Sequence, residues 1–119
     1  MKRISGILFV LLTSLVNADV SPAQKLEIEH LLNFVQHSSC RINRNGTFYD
    51  GSAGASHIQK KYAYFKDDIQ TTELFIELCA SKSTLSGRYY MVQCGDDRQI
   101  KTKQWLLKEL KHFRDSNNI

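Results

Sequence analysis

The side chains best suited to chemistry lie in two glycine-containing turns and in the segment that follows the first turn. Arginine, lysine and histidine donate hydrogen bonds to anions, asparagine and serine add neutral polar groups, and a turn glycine leaves its backbone N–H open to a ligand. If the two turns lie side by side, they form a donor-rich patch for a carboxylate, an acidic glycan or an acidic partner protein. The candidate binding residues are Arg44, Asn45, Gly46, His57, Lys61, Ser83, Ser86, Gly87 and Arg88.

The same residues also allow a purely structural interpretation. Arg44 would then pair with Glu73, and the serines would cap the ends of chain segments. The sequence leaves both interpretations open, and it indicates no particular ligand or partner.

Hydrolysis is the alternative from another class of function. His57 is the best candidate base, and Ser83, Ser86 or an unpaired cysteine would be the nucleophile. No Gly-x-Ser-x-Gly elbow is present, and no local cysteine-protease signature is present either. The sequence therefore leaves open whether the chain is an enzyme, and it assigns no catalytic residue.

Metal and cofactor sites are not expected. No Cys or His pair has the spacing of zinc ligands. The adjacent acids at 67–68 and 96–97 suit helix ends and turns, and His30 and His37 lie two turns apart on the first predicted helix. We expect these two histidines to be solvated or to lie at the boundary of the core.

The elements that must position the candidate residues begin with a helix over residues 22–37. Ser21 can cap it, Pro22 suits its first position, and Gln24 can complete a capping box. Alternation over residues 40–43 predicts a strand, and Asn45-Gly46 predicts a tight hairpin turn that leads to a second arm at 47–49.

Two further helices and a long strand are predicted next. Apolar residues at 55, 58, 62 and 65 indicate an amphipathic helix with His57 and Lys61 on or beside its polar face. Thr71 can cap a third helix, in which Phe75 lies on a deeply buried face. Residues 88–94 alternate as the longest strand, with Tyr90 on one face and Tyr89 on the other.

A final helix begins where Thr102 can cap it, and the tail from residue 115 is expected to fray. The order of the elements predicts a single α+β domain of four helices packed on a small antiparallel sheet of two to three strands.

The first 18 residues are typical of a cleaved secretory signal peptide. Lys2 and Arg3 precede a short apolar run, and Val16-Asn17-Ala18 offers small residues at a cleavage site. The run is too short to span a membrane, so we expect a mature periplasmic chain of residues 19–119 without a transmembrane anchor. Removal of two of the 16 basic residues leaves 14 against 12 acidic residues, a balance that does not favour nucleic-acid binding.

Three cysteines in an oxidising compartment predict one disulfide and one free thiol. Cys40 and Cys94 each end a predicted strand, so we expect these two to pair. Cys79 lies in an apolar helical pattern and is expected to be buried.

A series of residues spread along the chain has a recognisable order. It consists of Arg44-Asn45-Gly46, Ser56-His57-Ile58, Lys61, Ile69, Thr71, Glu73, Phe75, Ile76, Ala80-Ser81, Ser83, Ser86-Gly87 and Tyr90. Taken in this order, these residues resemble the YfeK-like family of small bacterial periplasmic proteins. The resemblance runs from about residue 40 to 105, and the family has no known function, so the resemblance implies compartment and fold kinship only. The chain departs from the family pattern after the loop glycine, where Arg88-Tyr89-Tyr90 stands for Lys-Pro-Tyr, and the resemblance does not imply the disulfide.

Overall fold

The computed structural model describes residues 20–117 of the chain. The expected signal peptide, residues 1–18, lies outside the described residues. The helices are α1 (Pro22–Gln36), α2 (Gly51–Phe65), α3 (Thr72–Cys79) and α4 (Thr102–Asn117), and one 3-10 turn covers Lys66–Asp68. The strands are β1 (Arg41–Arg44), β2 (Thr47–Tyr49), β3 (Met91–Gln93) and β4 (Ile100–Lys101).

The four strands form an antiparallel sheet in the order β2-β1-β3-β4. The predicted α+β class with four helices is confirmed, but the sheet has one strand more than expected. The strand expected over residues 88–94 is also shorter, since only β3 and a bridge between Lys82 and Tyr89 are formed there.

Local capping chemistry sets the start of three helices. The side chains of Ser21, Asp50 and Thr71 accept hydrogen bonds from the backbone N–H three residues later, as good N-caps do. Thr102 does not act as the expected cap, because it is the first residue of α4 and its buried hydroxyl has no partner in the described chain. The helix continues to Asn117, so the tail is ordered further than predicted.

The hairpin between β1 and β2 closes through the predicted dipeptide. Asn45 has φ +54° and Gly46 has φ +92°, which are the left-handed conformations that a two-residue turn needs. The side-chain oxygen of Asn43 accepts a hydrogen bond from the N–H of Gly46 at 2.8 Å. The turn therefore fixes the register in which Arg44 faces Thr47.

The core lies between one face of the sheet and the helices. Phe75 is 1% exposed, as its predicted helical face required, and its ring packs edge to face on Tyr62 at 5.3 Å. Gly51 and Gly54 bring α2 close to its neighbours, because a Cβ at Gly51 would meet the carbonyl oxygen of Val35. Other buried apolar residues are Ile28, Leu31, Val35, Ile42, Ile58, Ile69, Ile76, Val92, Leu106 and Leu110.

The cysteine predictions are confirmed. Cys40 and Cys94 form a disulfide beside the paired residues Arg41 and Gln93, and Cys79 is a free, buried thiol.

Between residues 20 and 117 the structure has no helix that is both long and apolar enough to cross a membrane.

Candidate functional site

Three candidate side chains meet around Tyr90, where the sheet, α2 and the loop after α3 come together. Arg44 lies at the end of β1, and Tyr90 precedes β3, the neighbouring strand. His57 and Lys61 are four residues apart and so share one side of α2. We call Arg44, His57, Lys61 and Tyr90 the basic cluster.

Tyr90 is the contact centre of this basic cluster. Its hydroxyl oxygen lies 3.0 Å from Nε2 of His57, and the ammonium of Lys61 lies 5.2 Å from the centroid of its ring. The ring is 4% exposed, so these contacts are largely removed from water. Burial raises the pKa of Tyr90, while the charge of Arg44 and a hydrogen bond from it act in the opposite direction.

Arg44 stacks on aromatic rings, and no acid of residues 20–117 forms an ion pair with it. Its guanidinium carbon lies 4.4 Å from the ring centroid of Tyr49 and 6.0 Å from that of Tyr90. Its Nε is buried and has no hydrogen-bond partner among the described residues. The pairing with Glu73 that the structural interpretation offered is not formed, because that carboxylate accepts from Arg114 at 2.7 Å.

Electrostatics keep His57 uncharged. Burial is the largest cause, and together with the positive charges of Arg44, Lys61 and Lys60, in that order, it lowers the pKa of His57 to about 4. Near neutral pH the imidazole can therefore accept one hydrogen bond and donate another, without adding a charge.

Lys61 differs from its prediction. It was expected on or beside the polar face of α2, but it is 9% exposed, and its ammonium donates to the carbonyl oxygen of Lys82 at 2.9 Å. Burial lowers its pKa. The loop after α3 covers this lysine, so Lys61 ties the loop to α2 as well as lending charge to the basic cluster.

The two turns do lie side by side. The hydroxyl of Ser86 donates to the side-chain oxygen of Asn45 at 2.8 Å, which joins the serine loop to the hairpin turn. The glycine N–H groups are not open to a ligand as expected, because Gly46 donates to Asn43 and Gly87 donates to the carbonyl oxygen of Ser83.

The remaining loop residues divide between structure and surface. The side-chain oxygen of Ser83 accepts from the N–H of Ser86 at 3.1 Å, so Ser83 stabilises the loop itself. Arg88 is exposed, and its backbone N–H donates to the hydroxyl of Ser86.

The geometry does not assemble a nucleophile and base. His57 is bonded to a tyrosine hydroxyl, whereas Ser83 and Ser86 are bonded within the loop and to Asn45. Burial raises the pKa of Cys79 to about 12, so this thiol is not activated. Residues 20–117 contain no group of three His, Cys, Asp or Glu side chains that could hold a metal ion.

Tyr90 and Tyr49 are not among the binding residues that the sequence predicts. Alternation placed Tyr90 on a strand face, but it gave no sign that the hydroxyl would meet a histidine 33 residues away. The recurrence of Tyr90 within the family resemblance was the one available signal.

Comparison with known proteins finds a relative and a matching family. A bacterial relative, "Uncharacterized protein YfeK" of Salmonella typhimurium, is 29% identical over 90 residues, which cover 75% of each chain. No solved structure matches the chain. Residues 22–114 match the family described as "Family of unknown function (DUF5329)". The chain therefore belongs to this family of unknown function, as the YfeK-like resemblance implied.

Proposed function

We propose that the chain is a periplasmic binding protein whose basic cluster receives an anionic group from an envelope ligand or a partner protein. The observation that carries this proposal is the convergence of Arg44, His57 and Lys61 on the buried side chain of Tyr90. None of the contacts within the basic cluster involves a carboxylate.

An anion would relieve an unfavourable arrangement. The charge of Arg44 lowers the pKa of Lys61, so these two positive charges repel each other, and both also lower the pKa of His57. Arg44 also has a buried Nε without an acceptor. A buried donor without a partner costs free energy, and a bound carboxylate or phosphate oxygen would satisfy it.

The stacking of Arg44 supports binding over simple tethering. Contact with Tyr49 holds the guanidinium in place without using its donors. Arg44 gives one hydrogen bond to Tyr90, and its Nε is left for a ligand. Lys61 is the contrasting case, since its bond to the Lys82 carbonyl is structural. We therefore assign direct contact with the anion to Arg44 and His57, and a supporting charge to Lys61.

The compartment in this proposal is the periplasm, reached through a signal peptide in residues 1–18 that is cleaved after Ala18. A disulfide between Cys40 and Cys94 supports an oxidising compartment. Intact mass of the protein from a periplasmic extract should correspond to a chain that begins at Asp19, and a mass that includes residues 1–18 would contradict the cleavage.

The binding site is tested by NMR titration of the mature protein with inorganic phosphate, acetate and sulfate. We expect saturable shifts of the backbone signals at Arg44 and Tyr90, and loss of these shifts in Arg44→Gln. The matched control is Lys25→Gln, which removes one charge from an exposed position on α1. If none of the three anions shifts these signals, or if both variants respond alike, the anion site is wrong.

Folding must be separated from binding in this experiment. Arg44→Gln should keep the helix content and the melting temperature of the parent, because Arg44 has no acidic partner to lose. If the variant unfolds, Arg44 is a structural tether and the binding role is rejected.

A further inference from the structure

A second surface lies on the side of the sheet that faces away from the helices. Ile42 and Val92 point into the core, at 3% and 1% exposure, so the residues that alternate with them point outward. Phe48 and Tyr89 on this outward side are 38% and 49% exposed. We call it the outer sheet face, and its central residues are Arg41, Asn43, Phe48, Tyr89, Gln99 and Lys101.

Two cations are held at opposite sides of this face. The guanidinium carbon of Arg41 lies 4.3 Å from the ring centroid of Phe48, and the ammonium of Lys101 lies 4.0 Å from that of Tyr89. Cation–π contacts of this kind fix long side chains that would otherwise move freely. The pairings β2-β1, β1-β3 and β3-β4 separate Phe48 from Lys101 by three strand spacings, about 14 Å.

Side-chain amides lie between the cations together with Met91, which pairs with both Asn43 and Lys101. The amide nitrogen of Asn43 donates to the side-chain oxygen of Gln99 at 3.0 Å, and Arg41 donates to that of Gln93 at 3.1 Å. A carboxamide carries both a donor and an acceptor, so a row of them suits ligand groups that also do both. Sugar hydroxyls are such groups.

The outward-pointing positions of the outer sheet face carry positive charges and no negative ones. The chain has 12 acidic residues, yet none of the outward positions 41, 43, 48, 89, 91, 93, 99 and 101 is acidic. The complementary ligand is therefore an anion with charges spaced along its length.

We propose that the outer sheet face binds an extended acidic polysaccharide, a chain of sugars that carry carboxylates. The carboxylates would meet Arg41 and Lys101, and the sugar hydroxyls between them would exchange hydrogen bonds with Asn43 and Gln99. This surface is separate from the basic cluster, which lies on the helix side of the sheet.

Two other polymers fit less well. Single-stranded nucleic acid stacks its bases on open aromatic rings, but the rings of Phe48 and Tyr89 are each covered by a cation. An extended peptide adds to a free sheet edge, and the edges here are strands of three and two residues, β2 and β4.

The test uses calorimetric titration of the mature protein with oligogalacturonate, a chain of uronic acids. Poly-L-glutamate and neutral dextran are the comparison ligands. We expect binding to oligogalacturonate alone, weakened about tenfold in Arg41→Gln/Lys101→Gln through loss of two charge contacts. Higher salt should weaken the parent complex because the contacts are exposed.

The matched control is Lys25→Gln/Lys108→Gln, which removes the same net charge from exposed positions on α1 and α4. It should bind as the parent does, and Gln99→Ala should weaken binding without changing the net charge. An equal loss of affinity in the control variant would show non-specific charge attraction. Equal affinity for poly-L-glutamate would show a surface for acidic peptides, and no binding to oligogalacturonate would show that the outer sheet face does not bind acidic polysaccharide. Each of these results overturns the proposal.

Discussion

Nε2 of His57 lies 3.0 Å from the hydroxyl oxygen of Tyr90, and both groups are neutral when bonded at neutral pH. Burial is the main reason, since it lowers the pKa of His57 to about 4 and raises the pKa of Tyr90. The pair is thus a polar contact kept uncharged beside two permanent positive charges. This arrangement makes the stability of the fold depend on pH.

The sign of that dependence follows from proton binding. Between the folded pKa of His57, about 4, and its ordinary value of 6.5, the unfolded chain binds a proton that the folded chain does not. We therefore expect the free energy of unfolding to decrease as the pH falls from about 6.5 to about 4. Urea unfolding across this window should show the decrease.

A control variant isolates the contribution of His57. His57→Gln should flatten the dependence between these pH values, and His112→Gln, at an exposed position on α4, should leave it unchanged. The carboxylates Glu27 and Glu73 have pKa values lowered from 4.5, so their contribution is lost as the pH falls through about 4.5 and overlaps the His57 window only at its acid end. An unchanged slope in His57→Gln would contradict the assignment.

Arg114 connects three helices and is predicted to matter more than other surface arginines and lysines. Its Nε donates to Glu27 of α1 at 2.7 Å and its Nη1 to Glu73 of α3 at 2.7 Å, while Thr72 also donates to Glu27 at 2.6 Å. Arg114→Ala should lower the free energy of unfolding by about 1–2 kcal/mol, because it breaks a network of charge-assisted hydrogen bonds.

Lys111 provides the matched comparison on the same helix. It forms an exposed pair with Asp115 at 2.8 Å, and such pairs contribute little. Lys111→Ala should therefore change the free energy of unfolding much less than Arg114→Ala does. Equal losses in the two variants would show that the Arg114 network adds no stability beyond a surface pair.

Phe75→Ala should destabilise the fold by about 3–5 kcal/mol, since it removes a fully buried ring and leaves a cavity. Denaturant unfolding measures the loss. Tyr64→Ala removes an aromatic ring that is 80% exposed and should cost less than about 1 kcal/mol. A comparably small loss at Phe75 would mean that α3 is not central to the core.

Local signals in the sequence predicted much of this fold. The caps at Ser21 and Thr71, the Asn45-Gly46 turn and the buried face around Phe75 depend on residues within one or two turns of each other. The Cys40–Cys94 pairing is long-range, but the strand ends limited the choice.

The errors arose where a partner is distant in the chain. Glu73 binds Arg114, 41 residues away, and no local pattern distinguishes this arginine from Arg44. Lys61 is buried because a loop 21 residues later covers it. The two-residue strand β4 is formed by pairing with β3 and has too few residues for a periodic signal. The convergence of the basic cluster on Tyr90 likewise needed the three-dimensional arrangement.

The basic cluster makes a last prediction that is independent of any known ligand. Among the charged groups, Arg44 has the largest effect on the pKa of His57, followed by Lys61 and then Lys60. Arg44→Gln should therefore raise the pKa of His57 above about 4. The value should stay below 6.5, because burial is the larger cause and remains. Lys60→Gln should raise it less.

NMR titration of the His57 ring protons measures these values directly. Because a bound anion stabilises the protonated imidazole, saturating phosphate should raise the pKa of His57 in the parent protein and have little effect in Arg44→Gln. A shift of equal size in both proteins would mean that phosphate acts by screening alone. No change of the pKa in Arg44→Gln without phosphate would mean that the guanidinium does not act on His57, and the basic cluster would then lose its electrostatic basis.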